Sequence, residues 1–210
     1  GLGHNIFNPA LVGRAILFVS WGSYMGGNIW PVPKMFELSA DISAVTTATP
    51  LANQAEALKI SFAQMITGNM AGCLGETSAL AILLGAFWLF YKKHIDWRIP
   101  GGYLGTVFLM GALFGEGFYH GYLATGLFHL LAGGVLLGAL FMATDLVTSP
   151  VTPAGKLIFG VGCGLITMMV RLFGTFPEGV TFAILIMNAL TPVIDNFTIP
   201  RAFGEVKRGA

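Results

Sequence analysis

Six stretches of this chain are mostly apolar, at 9–25, 76–91, 99–115, 126–143, 155–174 and 179–197, and polar residues collect between them. A membrane-crossing helix needs about 20 mostly apolar residues, so the pattern predicts six spans, several of which borrow flanking residues. Pro9, Pro100 and Pro153 stand near the starts of three of them, where a missing N–H is tolerated. Residues 26–60 form the only long polar connection, with Lys34, Glu37, Asp41, Glu56 and Lys59. The next piece, "SFAQMITGNMAGCLG" at 61–75, is apolar but broken by glycine. It reads as a re-entrant half-helix leading into the span that starts at Glu76, since irregular backbone survives at membrane depth only where protein or water covers it. The expected fold is all-α, a polytopic transmembrane helical bundle with broken or re-entrant helices, forming one integral membrane domain over 1–210.

Composition agrees with the pattern. The 210 residues are 55% hydrophobic and 10% charged, with a mean hydropathy of +0.75, whereas soluble domains carry roughly 25% charged residues. A net charge of +1 without a basic cluster gives no reason to expect a nucleic-acid partner. Twenty-nine glycines suit helices that pack closely in lipid. Cys73 and Cys163 lie in apolar surroundings without CxxC spacing, so neither a disulfide nor a metal cluster is expected from this chain alone. The first residue is Gly1, and no charged leader with a short apolar core follows it; an N-terminal part is expected to be missing.

Basic residues set the expected orientation, because they accumulate on the cytoplasmic side. "KKHIDWR" at 92–98 and "RAFGEVKR" at 201–208 are the densest basic segments, and four spans separate them. Both then lie in the cytoplasm, with the segment before Pro9 and the 144–154 turn. The 26–60 loop falls outside, provided 61–75 does not cross.

Two pairs of segments echo each other. "GETSALAILLG" at 75–85 matches "PEGVTFAILIM" at 177–187, with Glu76 over Glu178. "NPALVGRAILF" at 8–18 resembles "SPVTPAGKLIF" at 149–159, with Arg14 one position short of Lys156. Two pairs in one order predict an internal pseudo-repeat, and membrane proteins built that way place ligands between the repeats.

Ionisable groups inside a membrane are expensive and are functional candidates by default. Arg14 lies inside the first span, Glu76 and Glu178 open two others, and Asp145 and Asp195 close two more. The plain alternative for the terminal carboxylates is headgroup water or a helix N-terminus. In "GHNIFNP", Asn5 and Asn8 are three apart and share a face if helical. Their amides both donate and accept, which suits a planar ring with mixed edges such as an isoalloxazine; the alternative is that they cap the Pro9 helix. His129, within an apolar run, reads as an interior histidine, and with His120 in a connection no haem is expected.

"GHNIFNPALVGRA", "VTTATPL", "GETSALAILLG", "WRIP", "FMATDLVTSPVT" and "FPEGVTFAILIMN" together resemble the family of the D subunits of Rnf electron-transport complexes. More distantly, they resemble the B subunits of sodium-translocating NADH:quinone reductases. The resemblance runs through the whole chain and corresponds to the C-terminal two-thirds of the family's length. It implies a flavin-bearing membrane subunit of an ion-translocating ferredoxin:NAD⁺ oxidoreductase, relaying electrons while the complex moves Na⁺ or H⁺. The family carries FMN joined through its phosphate to a threonine by a flavin transferase, at a Ser/Thr-small-Ala-Thr motif. The match here is Thr46-Thr47-Ala48-Thr49, which implies Thr49 as the attachment residue. Where the family usually has an acid six positions earlier, this chain has Ser43, and the nearest acid is Asp41.

The resemblance also implies a non-covalent riboflavin near the cytoplasmic side, held by Asn5, Asn8 and Asp145. Thr46, Glu76 and Thr77 resemble positions near the FMN, and Asp195, in the family's "LID"-like segment, is a candidate for influencing ion uptake. Partners implied are the other Rnf subunits, including a flavin-bearing G-type subunit. No catalytic residue is expected, and no NAD or ferredoxin site, since the chain lacks a GxGxxG strand–helix unit and a cysteine cluster. The competing function classes are a small-solute channel or transporter and a flavin-free membrane scaffold.

Overall fold

The computed structural model describes residues 5–25, 30–31, 46–47, 61–68, 78–115, 121–174 and 179–200. Helix α1 (Pro9–Ser20) starts on Asn8, whose Oδ1 accepts from the N–H groups of Ala10 at 3.0 Å and Leu11 at 3.4 Å. Trp21 ends it, and a single turn, α2 (Gly22–Met25), follows. Two short strands, β1 (Trp30–Pro31) and β2 (Thr46–Thr47), pair antiparallel inside the long polar connection. Helix α3 (Phe62–Thr67) is the described part of the expected re-entrant piece, and it stops at Gly68, in the left-handed region at φ +95°.

The remaining helices form the bundle. They are α4 (Ala79–Tyr91), α5 (Arg98–Phe114), α6 (Tyr122–Leu131), the short α7 (Val135–Leu137), α8 (Pro153–Phe173) and α9 (Val180–Thr198). α8 opens as α1 does, with a polar cap and proline first: the Thr152 hydroxyl accepts from the Gly155 N–H at 3.0 Å. By length and apolar composition α8 and α9 can each cross a membrane, and α1 and α4 are shorter apolar helices.

α5 and α8 form the centre of the bundle because glycine lets their backbones meet. A Cβ on Gly160 would collide with the Ile99 carbonyl oxygen, and one on Gly164 would lie 2.8 Å from the Tyr103 carbonyl oxygen. Between them Tyr103 and Thr167, both fully buried, are hydrogen-bonded at 2.7 Å. The Thr167 hydroxyl gives its proton to the Cys163 carbonyl, so the tyrosine O–H is the donor. The free thiol of Cys163 is buried in the same core. α6 lies against the other face of α5, with Gly126 over the Phe108 carbonyl and His129 in the notch left by Gly111 and Gly115.

The expected span 126–143 is not one straight helix. α6 ends at Leu131, Gly133 takes a φ of +70°, and the chain resumes after a 68° bend. α7 then widens into a π-turn at Gly138–Met142, where the Ala143 N–H reaches the Gly138 carbonyl five residues back. Two adjacent glycines make the bend possible, and hydropathy cannot register it because the run stays apolar throughout. Arg171 of α8 satisfies the backbone there, donating to the carbonyls of His129 at 2.7 Å and Ala132 at 3.0 Å.

The helix starts also bear on the internal echo. Ala79 and Val180 begin within one residue of the sequence alignment. The other pair is out of register, since that alignment sets Pro9 against Pro150 but the helix begins at Pro153.

The glycine contact generates a prediction. Gly160→Ala should destabilise the fold by about 1–3 kcal/mol through overpacking. Gly105→Ala, on an open face of α5, should be neutral or stabilising by about 0.5–1 kcal/mol from helix propensity. Thermal unfolding in detergent measures both; equal midpoints for the two variants would contradict the close-packed interface.

Candidate functional site

One end of the bundle gathers a cluster of polar side chains from three segments of the chain. The turn 92–97 between α4 and α5 brings Asp96 to Arg98 and Lys156: its Oδ2 lies 2.9 Å from Arg98 Nη1 and 3.2 Å from Lys156 Nζ. Burial pushes the Asp96 carboxyl up. The Arg98 N–H and the charges of Lys156 and Arg98 outweigh that and hold it below the ordinary carboxylate value. The 144–152 turn sits at the same end. Asp145 shapes it, accepting from the Val147 N–H at 3.2 Å and the Thr148 hydroxyl at 3.1 Å. Thr191 of α9 donates to the Thr148 carbonyl at 3.1 Å, and Thr152 meets Thr198 hydroxyl to hydroxyl. Asp195 Oδ1 accepts from the Val151 N–H at 3.1 Å.

The basic 92–98 segment, the 144–154 turn and the end of α9 therefore share one end, as the charge distribution predicts. Asp195 has a partner that sequence alone did not supply: it ties the end of α9 to the turn preceding α8. Arg171 was also missed. The rule that marks Arg14, an ionisable residue in an apolar run, marks Arg171 equally. The Asp96–Lys156 contact had a visible signal too, an acid set among the bases of "KKHIDWR".

Of the residues expected around riboflavin, Asn8 is a helix cap, Asn5 is exposed just before it, and Asp145 is half-buried in its own turn. No hydrogen bond joins either asparagine to Asp145 among the described residues. The donor set nevertheless fits a flavin ring edge. Asn5 offers both amide ends, Asn8 keeps its N–H₂ after capping, and a carboxylate has about four acceptor positions, of which Asp145 uses two. Thr46 is described only as backbone, paired with Pro31. Thr49, Glu76, Thr77 and Glu178 lie outside the described residues, as do Asp41 and Ser43.

At the opposite end of α9, α1 leaves a small cleft lined by Arg14, Ala15, Phe18, Thr181 and Phe182. The Phe18 and Phe182 rings meet edge to face at 6.3 Å. Arg14 is half-buried, as its place inside an apolar run predicts. His129 is 1% exposed, and its carbonyl receives Arg171, in keeping with an interior packing residue.

The sequence profile of the NQR2, RnfD, RnfE family matches residues 1–204. The chain belongs to that family. Members similar to it include the D subunit of the proton-translocating ferredoxin:NAD(+) oxidoreductase complex of Clostridium ljungdahlii, 45% identical over 97% of this chain and 63% of the relative. The D subunit of the Na(+)-translocating ferredoxin:NAD(+) oxidoreductase complex of Acetobacterium woodii is 44% identical over 99% of this chain and 62% of its own length. That of the ion-translocating oxidoreductase complex of Stutzerimonas stutzeri is 41% identical over 100% and 66%. The chain thus spans less than two thirds of each of these relatives. Its apolar helices and its place in the NQR2, RnfD, RnfE family make it a membrane protein.

The Asp96 cluster predicts a pH dependence. A carboxyl whose folded pKa lies below its unfolded value, about 3.9, stabilises the protein above that value and loses the effect as pH falls through the folded one. Asp96→Asn should lower the thermal midpoint at pH 7 by the equivalent of about 1 kcal/mol, given partial exposure of the pair. The gap to wild type should close as the pH is taken below about 4. A gap independent of pH would show that the carboxylate charge is not what holds the turn.

Proposed function

We propose that this chain serves in the D subunit of an Rnf-type complex, as a polytopic bundle that relays electrons between ferredoxin and NAD⁺ while the complex moves Na⁺ or H⁺. The observation that carries this reading is the family match over nearly the whole chain, on a helical bundle of membrane-length apolar elements. The basic end with Asp96, Lys156 and the 144–152 turn faces the cytoplasm, and the 26–60 loop lies outside. Partner subunits hold the NAD and ferredoxin sites.

FMN is joined as a phosphoester to Thr49 of "TTAT", since a hydroxyl can form that ester and small neighbours admit a flavin transferase. Thr46, Glu76 and Thr77 lie near it. Riboflavin is held on the cytoplasmic side by Asn5, Asn8 and Asp145, which supply donors and acceptors to a ring edge. Bound flavins supply the electron transfer itself, while the chain fixes their places and keeps the surroundings apolar. Asp195 links the ion path to the riboflavin end through its hold on the 151–152 backbone.

The test is fluorescence under ultraviolet light on a denaturing gel, with flavin transferase co-expressed. Wild type should glow and Thr49→Ala should be dark. A dark wild-type band refutes covalent FMN. Replacing Asn5 and Asp145 together, each by Ala, should release riboflavin on extraction while leaving the gel fluorescence intact. Retention of riboflavin by that double variant removes the inner site.

A further inference from the structure

Asn188 lies in the middle of α9 and is 1% exposed. Neither end of its side-chain amide, Oδ1 or Nδ2, has a hydrogen-bond partner among the described residues. Both ends are bare, so reversing the amide changes nothing. Four residues on stands Pro192, inside the helix. Proline has no N–H to return to the carbonyl four residues back, and here that carbonyl belongs to Asn188. One residue therefore presents three polar groups that α9 does not satisfy, in a helix long and apolar enough to cross a membrane. Leaving a buried amide unsatisfied costs several kcal/mol. With the side chain closed off inside this chain, neither a lipid nor a partner subunit can reach it. Only a guest small enough to enter the bundle can.

Helix periodicity says where such a guest sits. Thr181 and Phe182 face α1 across the cleft, while Ile184 and Thr191 face the π-turn and the turn after it, through Gly138 and Thr148. On a helical projection Asn188 falls between these two directions, at the seam of α1, α9 and the π-turn. A π-turn shifts the regular carbonyl pairing and recurs at functional sites. α1 is a loose wall for the seam, since Leu11 is its one fully buried residue among those described and Ile16 and Val19 are exposed. Thr181 opens on the cleft about 10 Å away along the helix, with the fully buried Ile184 between it and Asn188. In the other direction the same face continues through Thr191, Asp195 and Thr198, each in a hydrogen bond with the 148–152 turn.

We propose that Asn188 holds a water molecule at mid-helix, and that a hydrated file runs from it along α9 past Thr191 and Asp195 to Thr198. Water is the guest that satisfies both ends of the amide and the released carbonyl together, making the two to four bonds that buried waters make. A bare cation would answer only the oxygens and leave Nδ2 without an acceptor. The file requires α9 to lie in the membrane, but not that either flavin is bound. Its failure and that of the flavin assignment are therefore read separately.

The test uses the full-length protein with its partner subunits in membrane vesicles, after Cys73→Ser and Cys163→Ala. Asn188→Cys should react with a small water-soluble methanethiosulfonate faster than Met187→Cys by roughly an order of magnitude, because only a hydrated thiol forms the reactive thiolate. Slowing of that reaction by added Na⁺ would support the file and show a cation sharing it; labelling indifferent to Na⁺ would support water alone. Should Asn188→Cys not fold, hydroxyl-radical footprinting of wild-type protein decides. Ile184, fully buried one turn before the amide, should be oxidised well above Val107, equally buried in the α5–α8 core. A thiol as inert as that at 187, or protection of Ile184 equal to that of Val107, overturns the proposal.

Discussion

Arg171 places two guanidinium N–H groups on the carbonyls of His129 and Ala132, where α6 stops and the chain turns through 68°. The last carbonyls of any helix lack partners inside it, and in apolar surroundings each must find a donor within the protein. A planar guanidinium supplies several donors in fixed geometry, so one side chain holds both ends of the break. The rest of the bundle is arranged around that hold. α8 must lie against α5 to bring Arg171 to the break, and the glycines at 160 and 164 permit it. The bend turns α7 and its π-turn toward α9, where Gly138 receives Val180. Substituting Arg171 would free two buried carbonyls and remove the fixed point of three helices together.

The same constraint explains which polar groups are paired. Thr106, Thr125, Thr144, Thr167 and Thr198 each give their hydroxyl to the carbonyl one turn back, and Thr191 shares its proton between the carbonyls of Met187 and Thr148. Tyr103 donates to Thr167. The backbone thus absorbs most of the polarity that a stretch of apolar sequence brings with it. The amide of Asn188 and the carbonyl that Pro192 releases are not absorbed, and they fall at one position.

What the sequence made legible follows from this. Pro9 and Pro153, each behind a side chain with a free oxygen, mark helix starts that the structure reproduces to the residue. The apolar runs gave the helices and their order, and the lysines and arginines gave the shared end. The break at 132–134 was invisible because bending an apolar run changes its backbone and not its hydropathy; "AGG" was the only local cue. Asn8 became a cap because its Oδ1 stands over the free N–H groups of α1, so three-residue spacing to Asn5 did not by itself make a shared face. The importance of Asn188 lay in a spacing of four to Pro192, a pattern that periodicity searches for apolar faces pass over. Thr49, Glu76 and Thr77 were legible only through the family motif, since threonines in a polar connection carry no physical signal of their own.

Two relatives of nearly equal identity, 45% and 44%, are named for the proton and for Na⁺ respectively. Overall similarity in this subunit therefore does not separate the two ions for which those complexes are named. The face of α9 from Asn188 to Thr191 carries no titratable group, so along the proposed file a proton would move by way of water, and a metal cation would meet only neutral oxygens. Asp195 is the one carboxylate on that face, and its Oδ1 is tied to the Val151 backbone. On the proposed reading, an ion leaving the file at this end would compete with that N–H for the carboxylate. Breaking the tie would loosen the turn that carries Asp145, which would place ion release and the geometry of the proposed riboflavin pocket on one hydrogen bond.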